Sequence, residues 1–121
     1  MRYFLLVAAG GAMGSMARYG VGLLALRWFG AGFPWGTLAV NAIGGLAMGA
    51  LFAFHGDRRD VMALLGVGVL GGFTTFSSFS LEVVRMLEQG AAAVALIYVL
   101  VSVLFALGGV FAGMALARSF V

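Results

Sequence analysis

Val94-Ala95-Leu96-Ile97-Tyr98-Val99-Leu100-Val101-Ser102-Val103-Leu104-Phe105-Ala106-Leu107-Gly108-Gly109 lies inside a run from Gln89 to Ala117 that carries no charged side chain. A helix rises about 1.5 Å per residue, so roughly 20 residues cross the ~30 Å hydrocarbon core of a bilayer. This run meets that length. Moving outward, the stretches from Trp28 to Phe54 and from Val61 to Leu81 are also uncharged and long enough. The first stretch, Tyr3 to about Leu26, qualifies if Arg18 is tolerated near one end or toward a polar interior, because long cationic side chains can snorkel. A cleaved secretory leader would also place Arg2 before an apolar run ending in Ala8-Ala9-Gly10. Apolar character resumes straight after Arg18, however, instead of giving way to a soluble domain.

The whole composition points the same way. A chain of 121 residues allows one domain, and 64% apolar residues with 9% charged ones leave too little polar surface to coat a water-soluble globule. The expectation is an all-helical membrane protein, a single domain over residues 1–121, with four crossings at about 3–27, 36–54, 61–88 and 91–117. The connections are short. Gly30-Ala31-Gly32-Phe33-Pro34-Trp35-Gly36 reads as a turn in which Pro34 starts the second helix and Trp35 anchors at the interface. The next connection holds His55, Gly56 and Asp57-Arg58-Arg59-Asp60, and Gln89-Gly90 ends the third crossing. Four crossings put both termini and the second loop on one side, with Arg2, Arg58, Arg59 and Arg118 there. The other side holds Arg27 and Arg85, plus Arg18 if it faces that mouth. So small a bias fits an oriented protein with a weak preference, and equally a chain that inserts both ways and pairs with its inverted copy.

Several function classes fall away. Seven scattered arginines and no lysine cannot build the basic face of a nucleic-acid binder. Without cysteine there is no disulfide or thiolate metal site, and the only histidine, His55, reads as an interfacial polar residue. The acidic pairs Asp57 with Asp60 and Glu82 with Glu88 lie in or near loops and read as solvated, and the glycine-rich stretches lack the lysine and strand of a phosphate loop. No enzymatic constellation remains.

The third crossing departs most from a plain membrane helix. Gly71-Gly72-Phe73-Thr74-Thr75-Phe76-Ser77-Ser78-Phe79-Ser80 puts two glycines and five hydroxyls at its middle. Such a run can break a helix near residues 71–75, and broken backbone at membrane depth survives only where it is buried in protein or lines a cavity. Freed carbonyls there could ligate a cation. Phe76 and Phe79, three apart, share a face, with Ser77 and Ser80 on a neighbouring one, and the positive edge of a phenyl ring can meet an anion without offering it a full charge. The same residues also suit a close helix crossing in which Phe fills space. Asn41 is an amide in an apolar span, fit for interhelical glue or for a pathway donor. Ser102 and Tyr98 put two hydroxyls a turn apart on the last helix. Each crossing carries a glycine pair at spacing four: Gly10 and Gly14, Gly45 and Gly49, Gly68 and Gly72, Gly109 and Gly113. Such pairs let helix backbones approach closely in lipid and favour oligomers.

Taken together these residues resemble a known family. Gly10-Gly11-Ala12-Met13-Gly14 with Arg18-Tyr19, Trp35-Gly36-Thr37-Leu38 with Val40-Asn41 and Gly44-Gly45, and the Gly71 to Ser80 motif follow the order seen in the Fluc fluoride channels, also called CrcB proteins. The resemblance spans essentially the whole chain. It implies a fluoride-selective channel of the cell inner (plasma) membrane, built as an antiparallel, dual-topology homodimer with two pores. It further implies that Phe76 and Phe79 present ring edges to fluoride and that Asn41 donates an amide opposite them. Thr75 and Ser78 would add hydroxyls, with Ser102 and Tyr98 as counterparts. Arg18 would sit at the vestibule and Glu82 near the other end of the track. The carbonyls of Gly71 and Thr74 from both subunits would hold a structural Na⁺. Ser78 stands where the family often has Thr, and Ala106 where some relatives carry a second hydroxyl.

Two rival readings differ in parts required. A coupled exporter of the small multidrug transporter kind needs a membrane-embedded carboxylate, which the first crossing lacks. A scaffold without transport would use the Thr/Ser/Phe motif for packing alone.

Overall fold

The computed structural model describes residues 1–121, which form helices joined by short turns. These are α1 (Arg2–Phe29), α2 (Trp35–His55), α3 (residues 59–73), α4 (Ser77–Glu88) and α5 (Ala92–Arg118). Together α3 and α4 make the third span, Arg59–Glu88, so four spans are long and apolar enough to cross a bilayer. The chain is a multi-pass membrane protein with an interrupted third crossing.

Glycines decide which spans pair. A Cβ on Gly45 would strike the carbonyl of Ala106, and one on Gly109 would come within 2.9 Å of the Ala42 carbonyl. Gly49 and Gly113 meet Val110 and Leu46 in the same reciprocal way, so the α2 pair and the α5 pair face each other. The α1 pair meets α3: Gly10 and Gly14 lie against the Leu64 and Val69 carbonyls, Gly68 against Gly10, and Gly72 against Gly11. Backbone contact of this kind is the main source of helix attraction in lipid, where apolar side chains gain little from meeting one another.

Within α3 the segment Met62–Leu70 is π-helical, and the Gly71 amide reaches back to the Gly66 carbonyl. The break then falls later than the glycines suggest. Gly71–Phe73 is still helical, and the interruption is Thr74-Thr75-Phe76, with Thr74 extended at φ −82° and ψ 162°. The reason is that Gly72 serves close approach to α1, while side-chain groups draw the backbone of residues 75–78 out of the helical ladder. Pro34 also differs from expectation. It lies one residue outside α2, at φ −80° and ψ 63°, and the Trp35 amide donates to the Phe33 carbonyl at 2.9 Å. That is an inverse γ-turn, for which the ring presets φ.

Only 14 of 121 residues are buried, and Tyr98 and Val40 are the largest that are fully enclosed. A single copy thus leaves most of its apolar surface for lipid or for another subunit.

Candidate functional site

The interruption is held by side chains that stand in for lost backbone partners. In an unbroken helix the Thr75 amide would serve the Gly71 carbonyl; here it donates to Asn41 Oδ1 at 2.8 Å, and Asn41 Nδ2 donates to the Thr75 carbonyl at 2.9 Å. Asn41 on α2 thus grips both backbone polar groups of one residue, Thr75. The Ser78 amide, which would serve the Thr74 carbonyl, instead donates to Thr75 Oγ1 at 3.2 Å. Arg18 Nε on α1 donates to the Gly72 carbonyl at 3.0 Å, capping the end of α3 with positive charge where the helix dipole is negative. Thr74 closes the last turn by donating from both its amide and its hydroxyl to the Leu70 carbonyl, at 3.0 and 2.9 Å.

On one flank of the break, Asn41, Gly71, Thr74, Thr75, Phe76, Phe79 and Ser102 share a groove of about 450 Å³. The Phe76 and Phe79 rings lie 5.6 Å apart, tilted by 47°. Phe79 is 9% exposed and Phe76 is 79% exposed, so the groove is open along the Phe76 side. Ser102 is 6% exposed and its hydroxyl has no hydrogen-bond partner. A buried hydroxyl left unpaired is costly, by about 1–3 kcal/mol. Ala106 lines the same groove and brings no hydroxyl.

On the other flank, Arg18, Thr37, Thr75, Ser78 and Glu82 line part of a cleft of about 270 Å³ that Leu23, Leu26 and Val40 share. Glu82 accepts from Thr37 Oγ1 at 2.7 Å and from the Tyr98 hydroxyl at 2.6 Å. Tyr98 packs on Phe79 with ring centroids 5.2 Å apart, which ties the two flanks together. Beyond Glu82 a wider cavity of about 470 Å³ opens between the α1–α2 turn and the end of α4, lined by Phe33, Thr37, Arg85 and Gln89 among others.

The arrangement therefore offers neutral hydroxyls, one spare amide hydrogen on Asn41, two phenyl rings and one guanidinium, with a carboxylate that already has two donors. Hydroxyls, an amide hydrogen and a guanidinium are groups that a small anion can meet, and the one carboxylate is occupied by the Thr37 and Tyr98 hydroxyls. Comparison with known proteins gives this a frame. Residues 5–114 match the family described as CrcB-like protein, Camphor Resistance (CrcB).

This chain belongs to the CrcB family.

Its CrcB relatives include the fluoride-specific ion channel FluC of Caulobacter sp. (strain K31), 52% identical over 98% of this chain and 96% of that protein. The protein of the same name from Rhodospirillum centenum (strain ATCC 51521 / SW) is 47% identical over 98% of each chain. That from Rhizobium meliloti (strain 1021) is 47% identical over the full length of both.

Against the CrcB expectations, Phe76, Phe79, Asn41, Ser102 and Thr75 come together in one groove, and Arg18, Ser78 and Glu82 meet in the adjoining cleft. Arg18 takes the polar-interior place that the sequence allowed, donating to the Gly72 carbonyl at the end of α3. One reading needs correction. Glu82 is not a solvated loop acid, since it is partly buried and both of its oxygens accept hydrogen bonds. Thr37 and Phe33 were missed as site residues. The Trp35-Gly36-Thr37-Leu38 motif held the clue to Thr37, whereas Phe33 in a turn carries no sequence signal of its own.

Proposed function

We propose that this CrcB protein is a fluoride-selective channel that lets the ion leave the cytoplasm passively across the inner membrane, lowering its toxicity. The observation that carries the reading is the unpartnered, buried Ser102 hydroxyl facing a groove edged by Phe76, Phe79 and Asn41. Fluoride is small and strongly hydrated, so a passage must replace its water with closely spaced donors that hold it weakly enough to release it. Hydroxyls, the free Asn41 amide hydrogen and phenyl edges meet that need, since none offers a full positive charge. The relatives' shared name, fluoride-specific ion channel, supports the same ion.

A groove open along Phe76 is half of a passage, and a second copy would close it. We take that copy to be antiparallel, because the weak arginine bias lets the chain insert both ways. A structural Na⁺ fits the chemistry of the break. The Gly71 and Thr74 carbonyls have lost their helical donors, the Thr75 and Ser78 amides, to Asn41 Oδ1 and to Thr75 Oγ1. Two hard oxygen donors per chain suit a small cation shared between two chains, where it would neutralise freed carbonyls and brace the interface.

Fluoride efflux from proteoliposomes, compared with chloride and with the pH clamped on both sides, tests the function. Fast uncoupled fluoride efflux with little chloride movement is expected. Slow flux that requires a proton gradient would indicate an exporter built on Glu82, and no flux would indicate a scaffold.

A further inference from the structure

The rings of the groove do not stop at Phe79. Phe79 contacts Tyr98 at 5.2 Å between centroids, and Tyr98 in turn meets Phe33 at 5.3 Å in an edge-on arrangement with an interplanar angle of 89°. Phe33 sits in the α1–α2 turn, outside every helix, so its placement needs a cause. The inverse γ-turn at Pro34, closed by the Trp35 amide on the Phe33 carbonyl, sets the backbone direction. The Trp35 ring, 4.8 Å away, then backs the Phe33 ring against Tyr98. Phe33 also lines the wide cavity beside Thr37 and Glu82, so it separates that open space from Tyr98, which has no exposed surface at all.

We infer that Phe33 is a positioning residue for the ion path: its edge-on contact holds the Tyr98 ring, and through it the Tyr98 hydroxyl on Glu82, at the inner end of the wide cavity. The inference rests on the proposed fluoride conduction and deepens it. Without the Phe33 ring, water from the cavity reaches Tyr98 and competes for the bond to Glu82, so the carboxylate keeps only the Thr37 donor and presents more of its negative charge to the arriving anion. An edge-on aromatic pair is strong enough to matter: its loss corresponds to a change of about three- to tenfold.

The test is a double-mutant cycle in fluoride efflux from proteoliposomes, using Phe33→Leu, Tyr98→Phe and the two combined. Phe33→Leu keeps apolar bulk and removes the ring, and flux should fall about three- to tenfold. In the Tyr98→Phe background the same change should add less than about twofold, since the hydroxyl it positions is gone. Phe33→Tyr, which keeps the ring, should restore flux to within about twofold of wild type. Multiplying losses in the double mutant, unchanged flux in Phe33→Leu, or a Phe33→Tyr as impaired as Phe33→Leu would each overturn the role. Phe33→Met serves as a second ringless variant if Phe33→Leu assembles poorly, and failure of both to assemble would show a folding role and overturn positioning. A wild type that passes no fluoride would overturn the conduction reading and this role together. A conducting wild type with an indifferent Phe33→Leu would overturn the role alone.

Discussion

Asn41 shows how one side chain can be both scaffold and part of a path. Its amide pairs with the Thr75 amide and carbonyl, and one Nδ2 hydrogen is left over. Replacing it with Leu would strand two backbone groups at membrane depth, each costing about 1–3 kcal/mol. Asn41→Leu is therefore expected to lower the melting temperature in detergent as well as fluoride flux, and unchanged thermal stability would show that the amide is not what holds the break. The ring residues should behave differently. Phe76→Ile and Phe79→Ile keep apolar volume and remove the positive edges. Fluoride flux should fall at least about tenfold, or about 1.4 kcal/mol in barrier, while the protein elutes as wild type does. Full flux in both variants would count against the rings as part of the path. Ser102→Ala removes a hydroxyl with no partner in the chain, so stability should hold or rise slightly while fluoride flux drops. A loss of stability without a loss of flux would point to a packing role.

At the level of elements, the four glycine pairs do a single job in two places. Gly45 and Gly49 on α2 meet Gly109 and Gly113 on α5, and Gly10 and Gly14 on α1 meet the α3 backbone. A methyl group at Gly49 would strike the Val110 carbonyl, which is backbone and cannot step aside. Gly49→Ala should thus destabilise by about 1–3 kcal/mol through overpacking, read as a lower melting temperature in detergent. Gly11, which has open space beside it, is the control, and Gly11→Ala should be neutral. The break itself depends on the same economy of space. Gly44 lets the Thr74 methyl group approach α2, so the extended Thr74 and the freed carbonyls beside it need a residue without a side chain there.

For the whole molecule, the low burial of one copy and the open groove bear on assembly. If two antiparallel chains close the groove and share Na⁺ between the Gly71 and Thr74 carbonyls, exchanging Na⁺ for a much larger monovalent cation should lower activity or loosen the assembly. The measurement is fluoride efflux and elution volume in matched Na⁺ and large-cation buffers. Indifference of both would remove the cation from the account. The four spans, their turns and the membrane setting were legible from residue order alone, because length and absence of charge are properties of a continuous segment and lipid penalises every exception. The presence of an interruption in the third span was equally legible from Gly71 to Ser80. Its position was legible only to within a few residues: Gly71–Phe73 stays helical, and Thr75 leaves the helix because Asn41, distant in sequence, competes for its amide. The same holds for Glu82, whose acid looked solvated until Thr37 and Tyr98 converged on it, and for Phe33, delivered to Tyr98 by a turn. Segment chemistry thus determined that this protein crosses the membrane four times and where its polar groups lie along the chain. Only the tertiary structure decided which of them meet, since hydrogen bonds and ring contacts between spans depend on helix rotation and approach that no single segment encodes.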